Sequence, residues 1–267
     1  MTSINGFLPG QMLASIRFVQ GYRYLDRCGE TLIRLENNLG EGWLTAEPTP
    51  QSGALRHASL KMEVNFNSDA VSVTQRESVN IQEFSRVASI AYETICGVIE
   101  VERVIGPAVR IIYHRQAANL DDADAFLLRL GHVTARQNLI NALCGTPSVI
   151  HFTTTREWEA MWGDELANHR LRVQCEASGS IPKPSYDARM SRRTRTLPIG
   201  QQKAILELAK KRSETVLADV FSTTLDVEFT LENEFSYRSF SYTDFLSNGA
   251  SIVESAAFHL ARSNHDQ

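Results

Sequence analysis

Residues 61–77, KMEVNFNSDAVSVTQRE, decide how the first part of this chain folds. Apolar and polar residues alternate in two runs, on either side of the tripeptide Asn67-Ser68-Asp69. The apolar members are Met62, Val64 and Phe66 in the first run and Val71 and Val73 in the second. Alternation with a period of two gives a strand one buried face, and a short polar turn lets two strands pair. The stretch therefore predicts a β-hairpin.

Residues 80–100, NIQEFSRVASIAYETICGVIE, predict a helix that packs on this hairpin. Asn80 followed by Glu83 is typical of a capping box, in which side chains satisfy the free amides at a helix start. Apolar side chains then recur every three or four positions, which places them on one helix face. They are Phe84, Val87, Ala91, Ile95 and Val98. We expect Phe84 and Val87 to be buried against the hairpin.

A strand and a helix are predicted before the hairpin. Residues 12–20 alternate as a strand does, and residues 24–40 carry apolar residues at helical spacing. Gly40 suits the left-handed conformation that commonly ends a helix. The stretch between this helix and the hairpin contains Pro48 and Pro50, and we expect it to form turns.

A last strand closes the first half of the chain. Residues 101–116 predict a strand interrupted at Gly106-Pro107, because proline cannot donate to a β-ladder. The order βαββαβ is that of a ferredoxin-like sheet with two helices on one side. We therefore expect an α+β protein in which residues 1–118 form a ferredoxin-like half. Residues 119–267 are expected to form a second α+β half that ends in a helix.

Two alternating runs and a final helical pattern organise this second half. Residues 168–178 and 223–232 alternate as strands do, and residues 242–264 carry the apolar stripe of a helix. Trp158 and Trp162 lie four residues apart before the first of these runs. We interpret them as core or interface packing rather than as a ligand platform.

The composition is that of an ordinary soluble globular protein, with 43% hydrophobic and 22% charged residues. We find no secretory leader at the start and no apolar run long enough to span a membrane. Cys28, Cys96, Cys144 and Cys175 are far apart and lack metal-site spacing, which favours buried, reduced thiols. We therefore expect a cytoplasmic protein with no cofactor and no membrane partner.

One short segment carries a concentrated positive charge. Residues 188–200, ARMSRRTRTLPIG, belong to the segment 183–212, which holds nine of the 27 basic and two of the 31 acidic residues, so its charge is +7 against −11 elsewhere. Guanidinium groups bind phosphate and carboxylate groups in a bidentate manner, so residues 183–195 predict an anion-binding or partner-binding site. Its members are Lys183, Arg189, Arg192, Arg193 and Arg195. The alternative is a solvated loop between Pro184 and Pro198.

Familiar catalytic motifs do not occur in the sequence. It contains no phosphate-binding glycine loop, no HExxH, no GxSxG and no EF-hand pattern, and its seven histidines are scattered. Asp226 and Glu228 alternate on a predicted strand and so share a face, where they could hold Mg²⁺. Leu225, Val227 and Phe229 fill the other face, which instead favours the solvated side of a half-exposed sheet.

Residues 84–115, FSRVASIAYETICGVIEVERVIGPAVRIIYHR, combine a helix with an arginine-containing strand, and residues 225–232, LDVEFTLE, precede the terminal helix. That helix carries Phe245, Ile252 and Phe258. Both regions resemble an uncharacterised, sporadically distributed bacterial protein family, although Gly106-Pro107 breaks up the Arg-Ile-Gly strand that is usual there. The resemblance implies a two-part α+β fold, no known enzymatic activity, and mobile or defence gene neighbourhoods.

The leading hypothesis is a non-catalytic bacterial subunit that acts by binding within a multi-protein system of the defence type. The segment 183–195 would dock either an acidic surface of another protein subunit or a nucleic-acid backbone, and a homo-oligomer remains open. One alternative is a protein that binds nucleic acid directly. A less favoured alternative is a hydrolase or transferase with an unrecognised carboxylate site such as Asp226 and Glu228.

Overall fold

The computed structural model describes residues 4, 6–19, 23–45, 49, 52–77, 79–118, 122–123, 125–126, 149–178 and 221–262. Within them, ten strands and three helices can be given bounds. In chain order they are β1 (Leu8–Phe18), α1 (Arg23–Leu39), β2 (Trp43–Thr45), β3 (Ser52–His57), β4 (Met62–Asn67), β5 (Ala70–Arg76), α2 (Ile81–Val98), β6 (Arg103–Ala117), β7 (Val149–Trp162), β8 (Glu165–Ser178), β9 (Phe221–Leu231), β10 (Glu234–Ser236) and α3 (Tyr242–Arg262). None of these helices combines the length and the apolar character that crossing a membrane requires.

The strands form one sheet in the order β2-β3-β4-β5-β1-β6-β9-β8-β7, and β10 pairs with the start of β6. Every pairing from β2 to β6 is antiparallel. Strand β9 also runs antiparallel to β6, because Arg110 meets Asp226 whereas the earlier residue Gly106 meets the later residue Asn233. The described chain is thus an α+β structure with a mostly antiparallel sheet.

The chain divides into two compact units. The first comprises Met1–His114, Phe152–Cys175 and Thr224–Gln267, and the second comprises Arg115–His151 and Glu176–Thr223. The division between the units falls inside β6, β7, β8 and β9. The boundary at residue 118 that the sequence suggests stays a prediction.

The predicted hairpin and the helix after it are both present. Strands β4 and β5 pair in antiparallel register. The side chain of Asn67 accepts hydrogen bonds from the amides of Asp69 and Ala70, at 2.7 and 2.8 Å, and so closes the turn between them. Helix α2 contacts both strands. Phe84 and Val87 are fully buried, as the helical spacing predicts.

Asn80 caps the start of α2 without the help of Glu83. Its side chain accepts hydrogen bonds from the amides of Gln82 and Glu83, at 3.1 and 3.2 Å. The carboxylate of Glu83 binds Arg86 instead of completing the capping box, and this hydrogen bonding holds the pKa of Glu83 below its ordinary value. The amide of Asn80 donates to Gln75 Oε1 at 3.0 Å. The cap therefore ties α2 to the end of β5.

The region between α1 and the hairpin contains two strands where turns were expected. Strand β2 has three residues, and β3 lies between β2 and β4. The Phe66 ring of β4 lies over Gly53 of β3, where a Cβ atom would come within 2.7 Å of Phe66 Cε1. Glycine has a low strand propensity. Gly53 is nevertheless suited to β3, because it leaves room for the Phe66 ring of the neighbouring strand β4. The expectation of turns alone is therefore wrong.

Strands β1 and β6 and helix α1 lie where the sequence predicts them. Gly40 follows α1 with φ +88°, in the left-handed region. Strand β6 continues through Gly106-Pro107, where Gly106 has φ +57° and the register with β1 shifts between Ser15 and Arg17. The predicted interruption is therefore a β-bulge within one long strand.

Strands β8 and β9 and the terminal helix α3 also occur where their patterns predict them. Helix α3 packs against α2. Phe229 of β9 and Phe245 of α3 are fully buried, and their rings stack with centroids 6.1 Å apart. The ring contact fixes α3 on the sheet beside β9.

Candidate functional site

The basic site predicted from the sequence lies outside the described residues. Its members are Lys183, Arg189, Arg192, Arg193 and Arg195. Their role in binding an anion or a partner therefore stays a prediction. Among the arginines that the structure does describe, several meet on one face of the sheet.

A row of cross-strand neighbours runs over the sheet from β2 to β6. Each member lies opposite the next on the adjacent strand, in the order Leu44, Arg56, Glu63, Thr74, Leu13 and Arg110. Many of the residues beside them in the strands, including Val64 and Val109, are fully buried. Because side chains alternate between the two faces of a strand, the row lies on the face away from α1 and α2.

At the end of this row, Arg110 of β6 forms a bidentate ion pair with Asp226 of β9. Arg110 Nε donates to Asp226 Oδ1 at 2.7 Å, and Nη2 donates to Oδ2. Asp226 is buried with 6% of its surface exposed, whereas the Arg110 side chain is 31% exposed. Hydrogen bonding to Asp226 raises the pKa of Arg110 above its ordinary value. Since the guanidinium fork matches a carboxylate, the pair fixes the register between the two strands.

Two further ion pairs continue this pattern onto β8. Arg172 Nη2 lies 3.6 Å from Glu228 Oε2, and Arg170 Nη1 lies 2.6 Å from Glu232 Oε1. Arginines therefore compensate the carboxylates along this side of β9.

Asp226 and Glu228, the two carboxylates that could hold Mg²⁺, each form an ion pair with an arginine. Asp226 accepts two hydrogen bonds from Arg110, whereas Glu228 lies 3.6 Å from Arg172 in an ion pair beyond hydrogen-bond distance. The expectation that both lie on a solvated face is wrong for Asp226, which is buried and paired with Arg110. Within the described ranges, no group of three or more His, Cys, Asp and Glu side chains is placed to hold a metal ion.

The described cysteines are free thiols, and two of them are buried. Cys28 is half-buried, and Cys96 and Cys175 are buried. Burial raises the pKa of Cys175 to about 12 and also raises that of Cys96. Because the thiolate is the nucleophile, neither buried thiol is suited to nucleophilic catalysis. Cys144 lies outside the described residues.

Trp158 and Trp162 pack around a buried histidine. The rings of Trp158, Trp162 and Phe229 lie 5.4, 5.9 and 5.7 Å from the ring of His169. His169 is 4% exposed, and its Nδ1 lies 2.9 Å from the carbonyl oxygen of Ala167. This geometry supports the packing interpretation, although Trp158 keeps 39% of its surface exposed.

Arg110, Arg170 and Arg172 are not among the site residues that the sequence predicts. Arg110 lies between the buried residues Val109 and Ile111, which by strand alternation assigns its side chain to the opposite face of β6. That pattern does not indicate an ion pair with Asp226, because the two residues lie 116 positions apart in the chain.

Comparison with known proteins leaves the family of the chain open. No family model matches it, and no curated protein matches it at the level that indicates a relative. The family resemblance of residues 84–115 and 225–232 therefore stays a prediction.

Proposed function

We propose that this protein acts by binding, and that residues 183–195 are its docking element for an acidic protein surface or a nucleic-acid backbone. The observation that carries this proposal is the division of charge along the chain. The segment 183–212 has a charge of +7, whereas the remaining residues have a charge of −11. A single basic region on an otherwise acidic protein steers an anionic partner to that region.

The ion pairs on the sheet support a binding role over a catalytic one. Asp226 and Glu228 are the carboxylates that a hydrolase or transferase would use, and they are engaged by Arg110 and Arg172. The two hydrogen bonds to Asp226 occupy Arg110, so this arginine is poorly placed to bind an external anion. The clustered arginines of the segment 183–195 are the better candidates for that role.

We also propose that the first half of the chain is a ferredoxin-like unit extended at one edge. Supporting this, β4, β5, β1 and β6 are neighbours in that order and pair in antiparallel register. Helices α1 and α2 contact each other, as two helices on one side of such a sheet do. Strands β2 and β3 would then be additions beyond the ferredoxin-like core.

The setting of this function rests on the family resemblance. We propose a bacterial, cytoplasmic subunit of a multi-protein system of the defence type, whose partner is another protein subunit or a nucleic acid. Self-association of the chain is compatible with either partner.

Charge reversal in the basic segment tests this function. Arg189, Arg192, Arg193 and Arg195 are changed together to Glu, and circular dichroism and thermal unfolding establish that the fold is kept. Partner binding is expected to be lost, because the attraction depends on these four charges. A matched control reverses four exposed arginines elsewhere, namely Arg17, Arg34, Arg76 and Arg238.

The salt dependence of binding then separates the two kinds of partner. For a DNA duplex bound through three or four arginines, we expect a log–log slope of about −3 to −4 that does not depend on base sequence. An acidic protein partner predicts no measurable affinity for nucleic acid. If the fourfold variant binds every partner as the unaltered protein does, the segment is a solvated loop and the proposed function is wrong.

A further inference from the structure

Strand β7 forms one end of the sheet, and most of its residues from Thr153 to Trp162 are exposed. It spans 14 residues, and in the described part of the chain it pairs only with β8. Between Thr153 and Trp162, seven residues in ten have exposed side chains, including neighbours on opposite faces such as Glu157 and Trp158. An exposed end strand presents unpaired amide and carbonyl groups, to which another extended chain can bind.

The turn between β7 and β8 shows which backbone groups point away from the sheet. Gly163 and Asp164 alone join the strands, and Gly163 has φ +59°, as in a type II′ hairpin turn. The backbones of Trp162 and Glu165 therefore form a hydrogen-bonded pair, and such pairs recur at every second residue along β7. Stacking of the Trp158 ring on His169 agrees with this register.

The residues between these bonded pairs direct their amide and carbonyl groups outward. They are Thr155, Glu157, Glu159 and Met161. Four residues at alternate positions, each with an outward amide and carbonyl group, give the pattern that an added strand requires.

Strand β7 is long, and between Thr153 and Trp162 only the charged side chains of Arg156, Glu157 and Glu159 oppose strand addition. Natural end strands are often very short or carry Lys, Pro or a bulge. At the opposite end of the sheet, β2 has three residues, and Thr45 within it is hydrogen-bonded to Glu36 of α1. Residues 153–162, TTTREWEAMW, contain neither Lys nor Pro. The two ends of the sheet are therefore protected very differently.

The charge on β7 indicates what kind of segment would bind there. Glu157 and Glu159 are exposed and make no ion pair with any residue that the structure describes, whereas Asp226, Glu228 and Glu232 are all paired with arginines. Both glutamates lie on one face of β7, because they are two residues apart. A cationic strand would place its Lys or Arg side chains beside them.

The other face of β7 offers an aromatic surface. Trp158 keeps 39% of its surface exposed, and the buried ring of His169 supports it from below. An apolar side chain of an added strand would cover the exposed part of this ring. The strand that fits β7 therefore alternates cationic and apolar residues.

We propose that residues 153–161 of β7 bind an extended cationic segment of a partner protein, which adds to the sheet as a further strand. Its cationic side chains pair with Glu157 and Glu159, and its apolar side chains pack on Trp158. This inference does not rest on the proposed function, because it concerns other residues, whose acidic members are Glu157 and Glu159.

A defined peptide tests the proposal on the full-length protein. The probe is the peptide Thr-Lys-Val-Lys-Val-Lys-Val-Lys-Thr with blocked ends, and amide NMR reports where it binds. We expect slower hydrogen exchange at the amides of Thr155, Glu157, Glu159 and Met161. The amides of the intervening residues already donate to β8, so their exchange should change little.

Two peptide controls separate strand addition from simple charge attraction. In an added antiparallel strand, directly opposite residues share a face, so the lysine amides of the peptide bond to the backbone of Glu157 and Glu159. N-methylation of the lysine amides should therefore abolish binding while it keeps every charge. A peptide with Glu in place of Lys should not bind. Retained binding of the N-methylated peptide would overturn the proposal.

Protein variants supply the remaining tests. Changing Glu157 and Glu159 together to Gln should weaken binding about fivefold at low salt, since each exposed pair contributes modestly. The same change at Glu41 and Glu102, which are exposed and remote from β7 in sequence, should have no effect. The fourfold arginine variant in the segment 183–195 should bind the peptide as the unaltered protein does, which separates this proposal from the proposed function.

Two outcomes would overturn the inference directly. The first is the absence of any exchange or shift change on β7 at millimolar peptide. The second is protection of residues 153–161 in the protein alone that disappears on dilution, because a second copy of this chain would then occupy the strand.

Discussion

Arg110 and Asp226, 116 residues apart in the chain, face each other across β6 and β9 through two parallel hydrogen bonds. The pair joins the strand that closes the first half of the sequence to the strand that precedes the terminal helix. Asp226 is almost completely buried, so its charge depends on Arg110 for compensation. A buried carboxylate without a partner is strongly destabilising.

Replacing Arg110 by Met should therefore lower the free energy of unfolding by about 2–4 kcal/mol. The loss should be smaller than for a fully buried pair, because the Arg110 side chain is 31% exposed and water can approach Asp226. Urea unfolding at pH 7 measures the change. Arg34→Met removes an exposed pair with Glu30 and should change stability by only about 0.5 kcal/mol. A loss below about 1 kcal/mol for Arg110→Met would show that Asp226 is solvated.

The double variant Arg110→Met, Asp226→Leu should be more stable than Arg110→Met alone. Removing both partners leaves no unpaired charge, and apolar side chains of similar size can then pack between β6 and β9. A double-mutant cycle with Asp226→Leu gives the coupling between the two positions. Additive effects of the two single changes would contradict a direct interaction.

Phe84→Ala tests the packing of α2 on the hairpin. Phe84 is fully buried, so we expect a loss of about 3–5 kcal/mol from the missing ring and the cavity left behind. Denaturant unfolding measures the loss. The slope of the unfolding free energy against denaturant concentration should be unchanged. Ser85→Ala, in the same turn of α2 but only partly buried, serves as the control. A loss below about 1 kcal/mol for Phe84→Ala would be incompatible with this core.

Local patterns explain why the hairpin at β4 and β5 and helix α2 could be predicted. Their alternation, turn and cap involve residues within a few positions of one another, such as Asn67 with Asp69 and Asn80 with Gln82. Strand β3 was missed because glycine disfavours a strand on its own. The Phe66 ring that packs over Gly53 belongs to the next strand and is not evident from the local sequence.

Contacts between distant segments explain what the sequence could not predict about the site. Nothing near Arg110 indicates that β9 is the neighbour of β6, so its pairing with Asp226 was not foreseen. The position of β7 at the end of the sheet likewise depends on the whole strand order. From the sequence, Trp158 and Trp162 are interpreted as packing residues, and nothing local indicates that they lie on an end strand. The segment 183–195 was recognised from composition alone.

Thiol labelling should distinguish the described cysteines by burial. Cys96 and Cys175 should not react with Ellman's reagent in the folded protein at pH 8, because burial both excludes the reagent and raises the pKa of each thiol. Cys28 is half-buried and should react more readily. Peptide mass mapping after labelling identifies which thiols have reacted, and urea provides the fully reactive control. Rapid labelling of Cys175 in the folded protein would contradict its place in the core.

Reducing agent should leave the thermal midpoint unchanged. Cys28, Cys96 and Cys175 are free, so no disulfide among them contributes to stability. Differential scanning fluorimetry with and without reductant measures the midpoint, and non-reducing mass spectrometry detects any crosslink. A large downward shift together with a crosslink would contradict both the free thiols and the expected reducing compartment.

Glu254→Gln should stabilise the protein at neutral pH. Glu254 lies on α3, and burial raises the pKa of its carboxyl group above the ordinary value of 4.5. A raised pKa means that the folded state favours the protonated form, so ionisation at pH 7 lowers the stability of the folded state relative to the unfolded one. Gln resembles the protonated carboxyl group in size and polarity and carries no charge. The variant should therefore have a higher free energy of unfolding at pH 7 than the unaltered protein.

The difference in unfolding free energy between Glu254→Gln and the unaltered protein should depend on pH, and this dependence provides the decisive measurement. Below about pH 4, both states of the unaltered protein are protonated at Glu254, so the difference should become small. It should grow as the pH rises through 4.5 and then through the raised pKa of the folded state, and remain constant above that value. Urea unfolding of both proteins between pH 4 and pH 7 tests this curve. Glu41→Gln, at an exposed position, reports the general effect of removing one negative charge. If Glu254→Gln follows the Glu41→Gln curve, Glu254 is solvated and α3 does not bury it against the sheet.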